Sequence, residues 1–328
     1  MKQRRIGKNG PMVSALGLGC MGMSIGYGPG NDAESTNVIH RAIDLGVTLF
    51  DTADVYGWGH NEELLGKAIK SSRDKLIIAT KMGFAKRGSA EALDYYLDGS
   101  PDYIKQACEA SLKRLGTDVI DLYYLHRVDP RTPIEDSMGA MSDLIKAGKI
   151  RYVGISEVKP NTIRRAARVC PITAVQTEFS LWERNPQKEI IPVCQELGIG
   201  FVAYSPLGRG FLTGAVTDIH TLSEDDFRRI LPRFQDENFQ ENKKIISAFK
   251  SMAESKKITM GQLALAWILA QPENIVPIPG TKRIAYLEEN MASVQITLSR
   301  EEIDQLNQLF HPTVAKGNKY PPEFEAEA

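Results

Sequence analysis

The sequence predicts an α/β fold, a single (βα)8 barrel closed by eight parallel strands. Short apolar runs alternate with amphipathic stretches of helical period through most of its 328 residues. The runs are continuously apolar, as in Leu76–Ala79, which is typical of parallel strands covered by helices. There are eight of them, and α/β barrels commonly reach this length as one unit. We therefore expect one domain over residues 1–328.

The strand candidates are the short apolar runs that the amphipathic segments separate. In chain order they are Ala15–Gly19, Thr48–Asp51, Lys75–Thr80, Val119–Leu125, Tyr152–Ile155, Ala174–Thr177, Gly200–Ala203 and Ile275–Ile278. Eight such runs are what a (βα)8 barrel requires, and each leads into a segment that we expect to be a helix or a loop at the C-terminal face.

Helix starts are indicated by capping residues and by proline at the first helical position. Asn61, followed by two glutamates, is expected to cap a helix whose first turn carries acids. Pro101, Pro133 and Pro160 are expected at or next to the starts of three further helices. Gly148 is expected to end the helix after Pro133 in a left-handed C-cap.

Three segments lie outside this alternation. Arg5–Val13 is predicted to form a β-hairpin turned at Asn9-Gly10, placed where it could plug the N-terminal end of the barrel. Segment 208–241 has no clear periodicity and is much longer than an ordinary connection, which favours a long loop at the active-site face. The tail Tyr320–Ala328 is acidic and contains prolines, so we expect it to be loosely held.

A glycine motif near the N-terminus resembles a dinucleotide fingerprint. Gly17, Gly19 and Gly22 match G-x-G-x-x-G, but that fingerprint requires a helix opening at the last glycine. The following segment, Met23–Gly30, contains three further glycines and a proline and cannot be a helix. We expect a flexible loop there, whose small residues would let a ligand or backbone come close.

Composition excludes several classes of function. The net charge is -1, so there is no electrostatic case for binding nucleic acid or an acidic membrane. The longest apolar runs, such as Ile258–Ala270, are too short or interrupted to span a bilayer. The four cysteines form no C-x-x-C pair and no zinc pattern, so free thiols in a reducing cytoplasm are expected and no metal site is predicted.

Four side chains capable of acid–base chemistry follow successive predicted strands. Asp51 and Tyr56 follow the second strand, Lys81 the third and His126 the fourth. Residues in such positions converge at the C-terminal face of a barrel. A tyrosine is a poor acid at neutral pH, and a neighbouring ammonium held by a carboxylate is expected to lower its pKa. The group could protonate a carbonyl oxygen, but a redox reaction would need a cofactor.

With these residues in place, the chain resembles the aldo-keto reductase superfamily from about Arg5 to Phe310, in its longer bacterial and plant-type branch. The resemblance implies that Asp51, Tyr56, Lys81 and His126 are the catalytic tetrad, with Tyr56 as the general acid. It implies NADPH-dependent reduction of aldehydes and ketones, with a small-molecule carbonyl substrate as the partner.

The resemblance also implies a set of cofactor-binding residues. Lys282 and Arg283 would meet a 2′-phosphate and so favour NADP over NAD. The full set is Ser156 and Gln176 at the nicotinamide carboxamide, Tyr204 on the nicotinamide ring, Ser205, Leu207 and Arg209 along the pyrophosphate, and Gly280, Thr281, Lys282, Arg283, Glu289 and Asn290 at the adenosine end.

One position departs from the family pattern. Many members carry asparagine directly after the motif serine, whereas this chain has Glu157. A carboxylate accepts hydrogen bonds from a carboxamide NH₂ but cannot donate to its oxygen. Glu157 is therefore expected either to bind the cofactor differently or to point away from it.

The sequence predicts the substrate pocket in less detail than the catalytic and cofactor-binding residues. Met23, Trp58 and Trp182 follow strand ends and predict an aromatic, mostly apolar pocket, although each could equally serve packing. Two alternatives to the reductase stay open at this point. One is a cofactor-sensing regulator with little turnover, similar to potassium-channel β-subunits; the other is a barrel lyase or isomerase that uses Lys81 to form a Schiff base.

Overall fold

Eight parallel strands form the curled sheet of a (βα)8 barrel in the computed structural model, which describes residues 1–88 and 95–322. The strands within these residues are β1 (Gln3–Arg5), β2 (Met12–Ser14), β3 (Leu18–Gly19), β4 (Leu49–Asp51), β5 (Ile77–Met82), β6 (Phe84–Lys86), β7 (Tyr95–Leu97), β8 (Ile120–Leu125), β9 (Ile150–Ser156), β10 (Ile172–Glu178), β11 (Gly200–Tyr204) and β12 (Ile275–Pro277). The barrel order is β3-β4-β5-β8-β9-β10-β11-β12, and the two antiparallel pairs are β1-β2 and β6-β7. All eight predicted barrel strands are confirmed, with ends that differ by a few residues.

Helices lie between successive barrel strands and cover the outside of the sheet. They are α1 (Asp32–Asp44), α2 (His60–Ile69), α3 (Pro101–Leu115), α4 (Ile134–Lys146), α5 (Pro160–Val169), α6 (Ile190–Leu197), α7 (Asp236–Lys243), α8 (Ile246–Ser255), α9 (Met260–Leu269), α10 (Ile284–Ala292) and α11 (Arg300–Leu309). No helix in the described residues has both the length and the apolar character needed to cross a membrane.

Most of the predicted helix signals are confirmed. Pro101 and Pro160 are the first residues of α3 and α5, and Gly148 has the expected left-handed backbone, with φ of 70°. Pro133 is the N-cap of α4 rather than its first residue. The predicted cap at Asn61 is wrong. Asn61 lies inside α2, and its buried amide instead donates to Cys20 O at 3.0 Å, which ties the helix to the end of β3.

The N-terminal hairpin plugs the barrel as predicted, but its turn is different. Arg5 pairs with Met12, so residues 6–11 form a loop instead of a two-residue turn at Asn9-Gly10. Ile6 is fully buried among the inward-facing side chains of the barrel strands, and Lys8 N donates to Gly198 O at 2.7 Å. The turn is longer because these residues must reach into the barrel.

Glycines close the ring of strands between β3 and β12. Gly19 and Gly280 form a parallel bridge, and Gly17 N donates to Pro277 O at 3.0 Å. A Cβ at Gly19 would lie 2.9 Å from Ile278 O, so a side chain there would push the two ends apart. A short 3-10 turn follows at Met21–Met23 and no helix begins before Asp32, as predicted. Gly17 and Gly19, two of the three glycines that resembled a nucleotide fingerprint, therefore serve barrel closure.

The long segment after β11 lies over the C-terminal face, as predicted. It consists of short 3-10 turns followed by α7. Its Phe227 N donates to Gly26 O at 3.0 Å, and Arg233 Nε donates to Gly317 O at 3.2 Å. The prediction of a loosely held tail is wrong for Tyr320, which is buried because its hydroxyl joins a polar network at this face. Residues 323–328 of that prediction lie outside the described part of the chain.

Candidate active site

A buried ion pair lies at the centre of the C-terminal face. Asp51 is the last residue of β4, and Lys81 lies near the end of the adjacent strand β5. The Lys81 ammonium bonds to Asp51 Oδ1 and donates to Thr52 O at 2.8 Å, while Gln176 Nε2 donates to Asp51 Oδ2 at 2.8 Å. All the partners are buried, so the pair is held rigidly by groups from three strand ends.

Tyr56 reaches this pair from the turn that follows β4. Asp54 N in that turn donates to Lys81 O at 3.0 Å, which fixes the turn against β5. Lys81 Nζ lies 3.5 Å from the Tyr56 hydroxyl, a long hydrogen bond, and 5.2 Å from the centre of its ring. The hydroxyl therefore lies beside an ammonium whose charge Asp51 secures.

His126 is the fourth residue of the predicted acid–base group and lies beside Tyr56. It follows β8, and its backbone N donates to Met82 O at 2.7 Å. Its ring stands edge-on to Tyr56, with 5.9 Å between ring centres, and packs against Phe84 at 4.9 Å. Within residues 1–88 and 95–322, its Nδ1 has no hydrogen-bond partner. Burial and the charges of Lys81 and Arg127 lower the pKa of His126 well below its ordinary value, so the ring is neutral at pH 7.

The pKa of Tyr56 shifts in the direction opposite to the sequence prediction. Burial of the phenol raises this pKa above 10, and the opposing charge of Lys81 is the smaller effect. Burial also disfavours the Lys81 ammonium, but Asp51 and Tyr56 more than compensate and the pKa of Lys81 is raised. Tyr56 is thus protonated and Lys81 charged across the neutral range.

Glu157, where the family pattern has asparagine, points away from Ser156 and Gln176. Its backbone is left-handed, with φ of 51°, and its Oε1 accepts from Glu178 N at 3.0 Å. Its Oε2 accepts from Lys319 Nζ at 2.5 Å, so the carboxylate holds the C-terminal tail. Burial opposes ionisation, but Lys319 and Arg127 prevail and lower the pKa of Glu157 to about 2.

A second polar network surrounds Tyr204, the residue expected to stack on a nicotinamide. Its hydroxyl lies 2.8 Å from that of Tyr320. Arg209 Nη2 donates to Tyr320 OH at 2.8 Å and to Glu178 Oε2 at 2.7 Å, forming a buried ion pair. The tail residues Lys319 and Tyr320 thus contact the expected nicotinamide site at two places, Lys319 at Glu157 and Tyr320 at Tyr204.

The loop after β11 has a backbone suited to an anion. Ser205, Gly208, Arg209 and Gly210 all have positive φ, between 48° and 89°. Runs that mix left- and right-handed residues turn successive N–H groups towards one side and form anion-binding concavities. Leu207, in the middle of this loop, accepts from Gly210 N and Leu212 N, which keeps the turn tight. The pyrophosphate role that the resemblance implies for this loop stays a prediction.

The residues expected at the adenosine end lie together between β12 and α10. Lys282 Nζ donates to Tyr27 O at 2.7 Å and to Pro29 O at 3.0 Å, so it fastens this end to the loop after β3. Arg283 is exposed at the start of α10, with its guanidinium over Tyr286. Gly280 lies in the bridge to Gly19 that closes the barrel, and the Thr281 hydroxyl accepts from Arg283 N. Glu289 accepts from the Thr259 hydroxyl, and Asn290 is buried.

The three candidate pocket residues have different surroundings. Met23 is 1% exposed and lies in the core between the sheet and the helices. Trp182 stacks on Phe211 with ring centres 3.9 Å apart beneath the long loop. Trp58 lies two residues after Tyr56, has φ of 52°, and its buried Nε1 has no partner among the described residues.

Sequence reasoning missed the residues that the tail brings to this face. Lys319 is paired with Glu157, which lies 162 positions earlier, and Tyr320 with Tyr204, 116 positions earlier. Arg127, next to His126, was also missed. The only local signal was the sequence Leu125-His126-Arg127 itself, because nothing near residue 320 indicates where the tail folds.

These observations define an α/β barrel enzyme with an acid–base group of aspartate, tyrosine, lysine and histidine at its C-terminal face. The aldo/keto reductase family model matches residues 15–310, and the chain belongs to that family. Members of the family are oxidoreductases.

Relatives cover nearly the whole chain. Aldo-keto reductase yakc of Schizosaccharomyces pombe, whose name specifies NADP(+), is 45% identical over 324 residues, 97% of this chain and 94% of that protein. Probable aldo-keto reductase 1 of Glycine max is 47% identical over 306 residues, 92% of this chain and 87% of that protein. The solved structure of glycerol dehydrogenase AKR11B4 from Gluconobacter oxydans superimposes with a TM-score of 0.85 at 31% identity, covering 98% of each chain.

Proposed function

We propose that the protein is an NADPH-dependent carbonyl reductase in which Tyr56 is the general acid. The observation that carries this proposal is the position of the Tyr56 hydroxyl, 3.5 Å from Lys81 Nζ, whose charge is held by Asp51. A protonated phenol beside a secured ammonium is arranged to give up a proton to a nearby oxygen and to be stabilised as the phenolate afterwards.

The four residues then have separate tasks. Tyr56 donates its proton to the carbonyl oxygen of the substrate as that oxygen gains negative charge. Lys81 stabilises the resulting phenolate, and Asp51 and Thr52 O keep the ammonium in place. Neutral His126 can donate one hydrogen bond to the same oxygen and orient it. Bound NADPH would supply the hydride that completes reduction to the alcohol.

Several residues at the C-terminal face suit such a cofactor. The left-handed backbone after β11 is of a kind that binds anions, which supports a place for the pyrophosphate there, and Tyr204 precedes it directly. Ser156 and Gln176 pair across the adjacent strands β9 and β10, and Gln176 donates to Asp51. Arg283 is exposed at the adenosine end, where it could meet a 2′-phosphate. The relative named with NADP(+) supports the choice of NADPH over NADH.

The test compares wild type with Tyr56→Phe for NADPH oxidation against aldehydes, ketones and dicarbonyls. Tyr152→Phe, in the first half of β9 away from the catalytic face, is the matched control. We expect turnover in wild type and the control, and at least about a hundredfold loss in Tyr56→Phe, since general acid catalysis contributes that much. NADPH affinity, measured by fluorescence titration, should be similar in all three.

Other outcomes have distinct meanings. Tight NADPH binding by wild type without turnover on any substrate would favour a cofactor-sensing regulator. Absence of NADPH binding would contradict the roles of Tyr204 and Arg283. Borohydride trapping of a substrate on Lys81 would favour the Schiff-base alternative, which the charged state of Lys81 disfavours.

A further inference from the structure

Arg127 occupies a place that the proposed reaction leaves unexplained. It directly follows His126 and is partly buried. It lines a cavity of about 400 Å³ together with Glu157, Thr177 and the tail residues Lys319 and Tyr320. Its Nη1 donates to His126 O at 2.8 Å and to Ser156 Oγ at 3.4 Å. Within residues 1–88 and 95–322, Nε and Nη2 make no hydrogen bond to the protein.

The other buried or partly buried cations around Tyr56 and Tyr204 are paired. Lys81 bonds to Asp51, Arg209 to Glu178, Arg233 to Glu183 and Lys319 to Glu157. Arg127 has no carboxylate within 4.0 Å in the described residues. Glu157 is close enough to interact with it electrostatically but already binds Lys319.

An unpaired cation in a partly desolvated position is costly unless something compensates it. The Arg127 guanidinium stays charged, because burial lowers its pKa less than the neighbouring phenols and Glu157 raise it. Its planar fork of free N–H groups matches the geometry of a carboxylate. The cavity beside it is large enough for part of a small organic molecule.

We propose that Arg127 binds an anionic group of the substrate, and that carbonyl compounds carrying a carboxylate are the preferred substrate class. The inference rests on the proposed reductase function. Arg127 is joined through His126 and Ser156 to the catalytic group, and its charge also acts on Tyr56. In this proposal one small molecule places its carboxylate at Arg127 and its carbonyl oxygen at Tyr56.

A competing role for Arg127 is to donate to the carboxamide of the cofactor. Ser156 Oγ, its partner, is expected at that carboxamide, whereas the Glu157 carboxylate has no hydrogen to donate there and binds Lys319. The two roles predict different losses of activity and of NADPH affinity when Arg127 is replaced. Substrate binding through a charge affects only anionic substrates, whereas carboxamide binding affects NADPH affinity and all substrates alike.

The experiment compares 4-carboxybenzaldehyde with 4-nitrobenzaldehyde, a neutral aldehyde of nearly the same shape. Both are reduced by wild type, Arg127→Met, Arg127→Lys and the control Arg131→Met, which removes an exposed cation from the same loop. We expect Arg127→Met to lower kcat/KM for the carboxylated aldehyde by roughly 10- to 100-fold, as for a lost hydrogen-bonded charge. The neutral aldehyde should change by less than about threefold. Arg127→Lys should retain part of the preference, and Arg131→Met all of it.

Binding of benzoate, measured by isothermal titration calorimetry in the presence of NADP(+), tests the same site without turnover. We expect benzoate to bind wild type and Arg131→Met and to lose affinity for Arg127→Met. This result would stand even if no aldehyde were reduced, so failure of the reductase function is distinguishable. Equal losses on both aldehydes with weakened NADPH binding would overturn the proposal in favour of the carboxamide role. Unchanged benzoate affinity in Arg127→Met would overturn it outright.

Discussion

Among the individual residues, Tyr56 shows how burial and charge compete. The sequence suggested that Lys81 would lower the pKa of the phenol, and the structure reverses the net direction because the hydroxyl is almost completely buried. This direction suits a general acid, which must hold its proton until the substrate oxygen becomes basic. Desolvation of this degree depends on the packed fold and could not be judged from the sequence alone.

The raised pKa of Tyr56 predicts a pH profile. Reduction requires the protonated phenol, so kcat/KM should stay constant through neutral pH and fall only as the pH rises above about 10. His126 is already neutral at pH 7, so no step near pH 6.5 is expected. Steady-state kinetics between pH 6 and 10.5 would check this, with protein stability followed in parallel. A decline centred below pH 9 would contradict it.

The Glu157–Lys319 pair predicts a loss of stability on mutation. The pKa of Glu157 falls from 4.5 to about 2 on folding, which corresponds to roughly 3 kcal/mol at neutral pH. Because the folded-state pKa is the lower one, this contribution is present above pH 4.5 and is lost as the pH falls towards 2. Glu157→Gln should therefore lower the free energy of unfolding at pH 7, measured in urea. Its unfolding temperature should also vary less than that of wild type between pH 5 and 3.

A matched control separates this buried pair from ordinary surface charge. Glu196 pairs with Arg164 on the exterior, where both side chains are well exposed. Glu196→Gln should change stability little, since exposed ion pairs are screened by solvent. Equal effects of the two variants would show that burial of Glu157 adds nothing to the free energy of unfolding beyond what an exposed ion pair contributes.

Among the elements, barrel strands were more predictable than connections. Continuous apolar runs gave every barrel strand, since such runs arise wherever both faces of a strand are covered. The predicted cap at Asn61 is wrong because the Asn61 amide makes a contact 41 positions away rather than at the local helix end. The hairpin turn differs from the prediction for a similar reason, since Lys8 N donates to Gly198 O, far along the chain, while Ile6 N donates to Pro11 O across the longer loop.

The long loop after β11 gives a prediction about cofactor release. Arg233 donates to Trp182 O at 3.0 Å, Glu183 at 2.7 Å and Gly317 O at 3.2 Å, so it connects loop, barrel and tail. Arg233→Ala would leave Glu183 buried without a cation and loosen all three. We expect faster NADPH dissociation in stopped flow.

The control for this variant lies on the same loop. Among the described residues, the Arg229 side chain donates only to Leu222 O within the loop itself, so Arg229→Ala should leave the dissociation rate near that of wild type. An unchanged rate in Arg233→Ala, or an equal rise in both variants, would argue against a gating role for the Arg233 contacts.

For the whole molecule, the barrel depends on its N-terminal plug. Ile6 is fully buried inside the barrel, at the end opposite the catalytic group. Ile6→Ala should lower the free energy of unfolding by about 3 kcal/mol through the cavity it leaves, with little change in KM. Met12→Ala, at an exposed position on the same hairpin, is the control. Urea denaturation would check both, and similar stabilities would contradict the plug.

The seam between β3 and β12 has a consequence for how the barrel opens. The two strands meet through one glycine bridge, Gly19 to Gly280, and a few backbone bonds, whereas other neighbours share longer ladders. If the barrel opens transiently, we expect the hydrogen bonds between β3 and β12 to break before those between other neighbouring strands. The expected cofactor groups after Gly280 and the Lys282 contacts to Tyr27 O and Pro29 O lie across that line. A dinucleotide bound there would contact both sides of the seam and stabilise its closed state. Amide hydrogen exchange should therefore slow more on both sides of the seam than elsewhere.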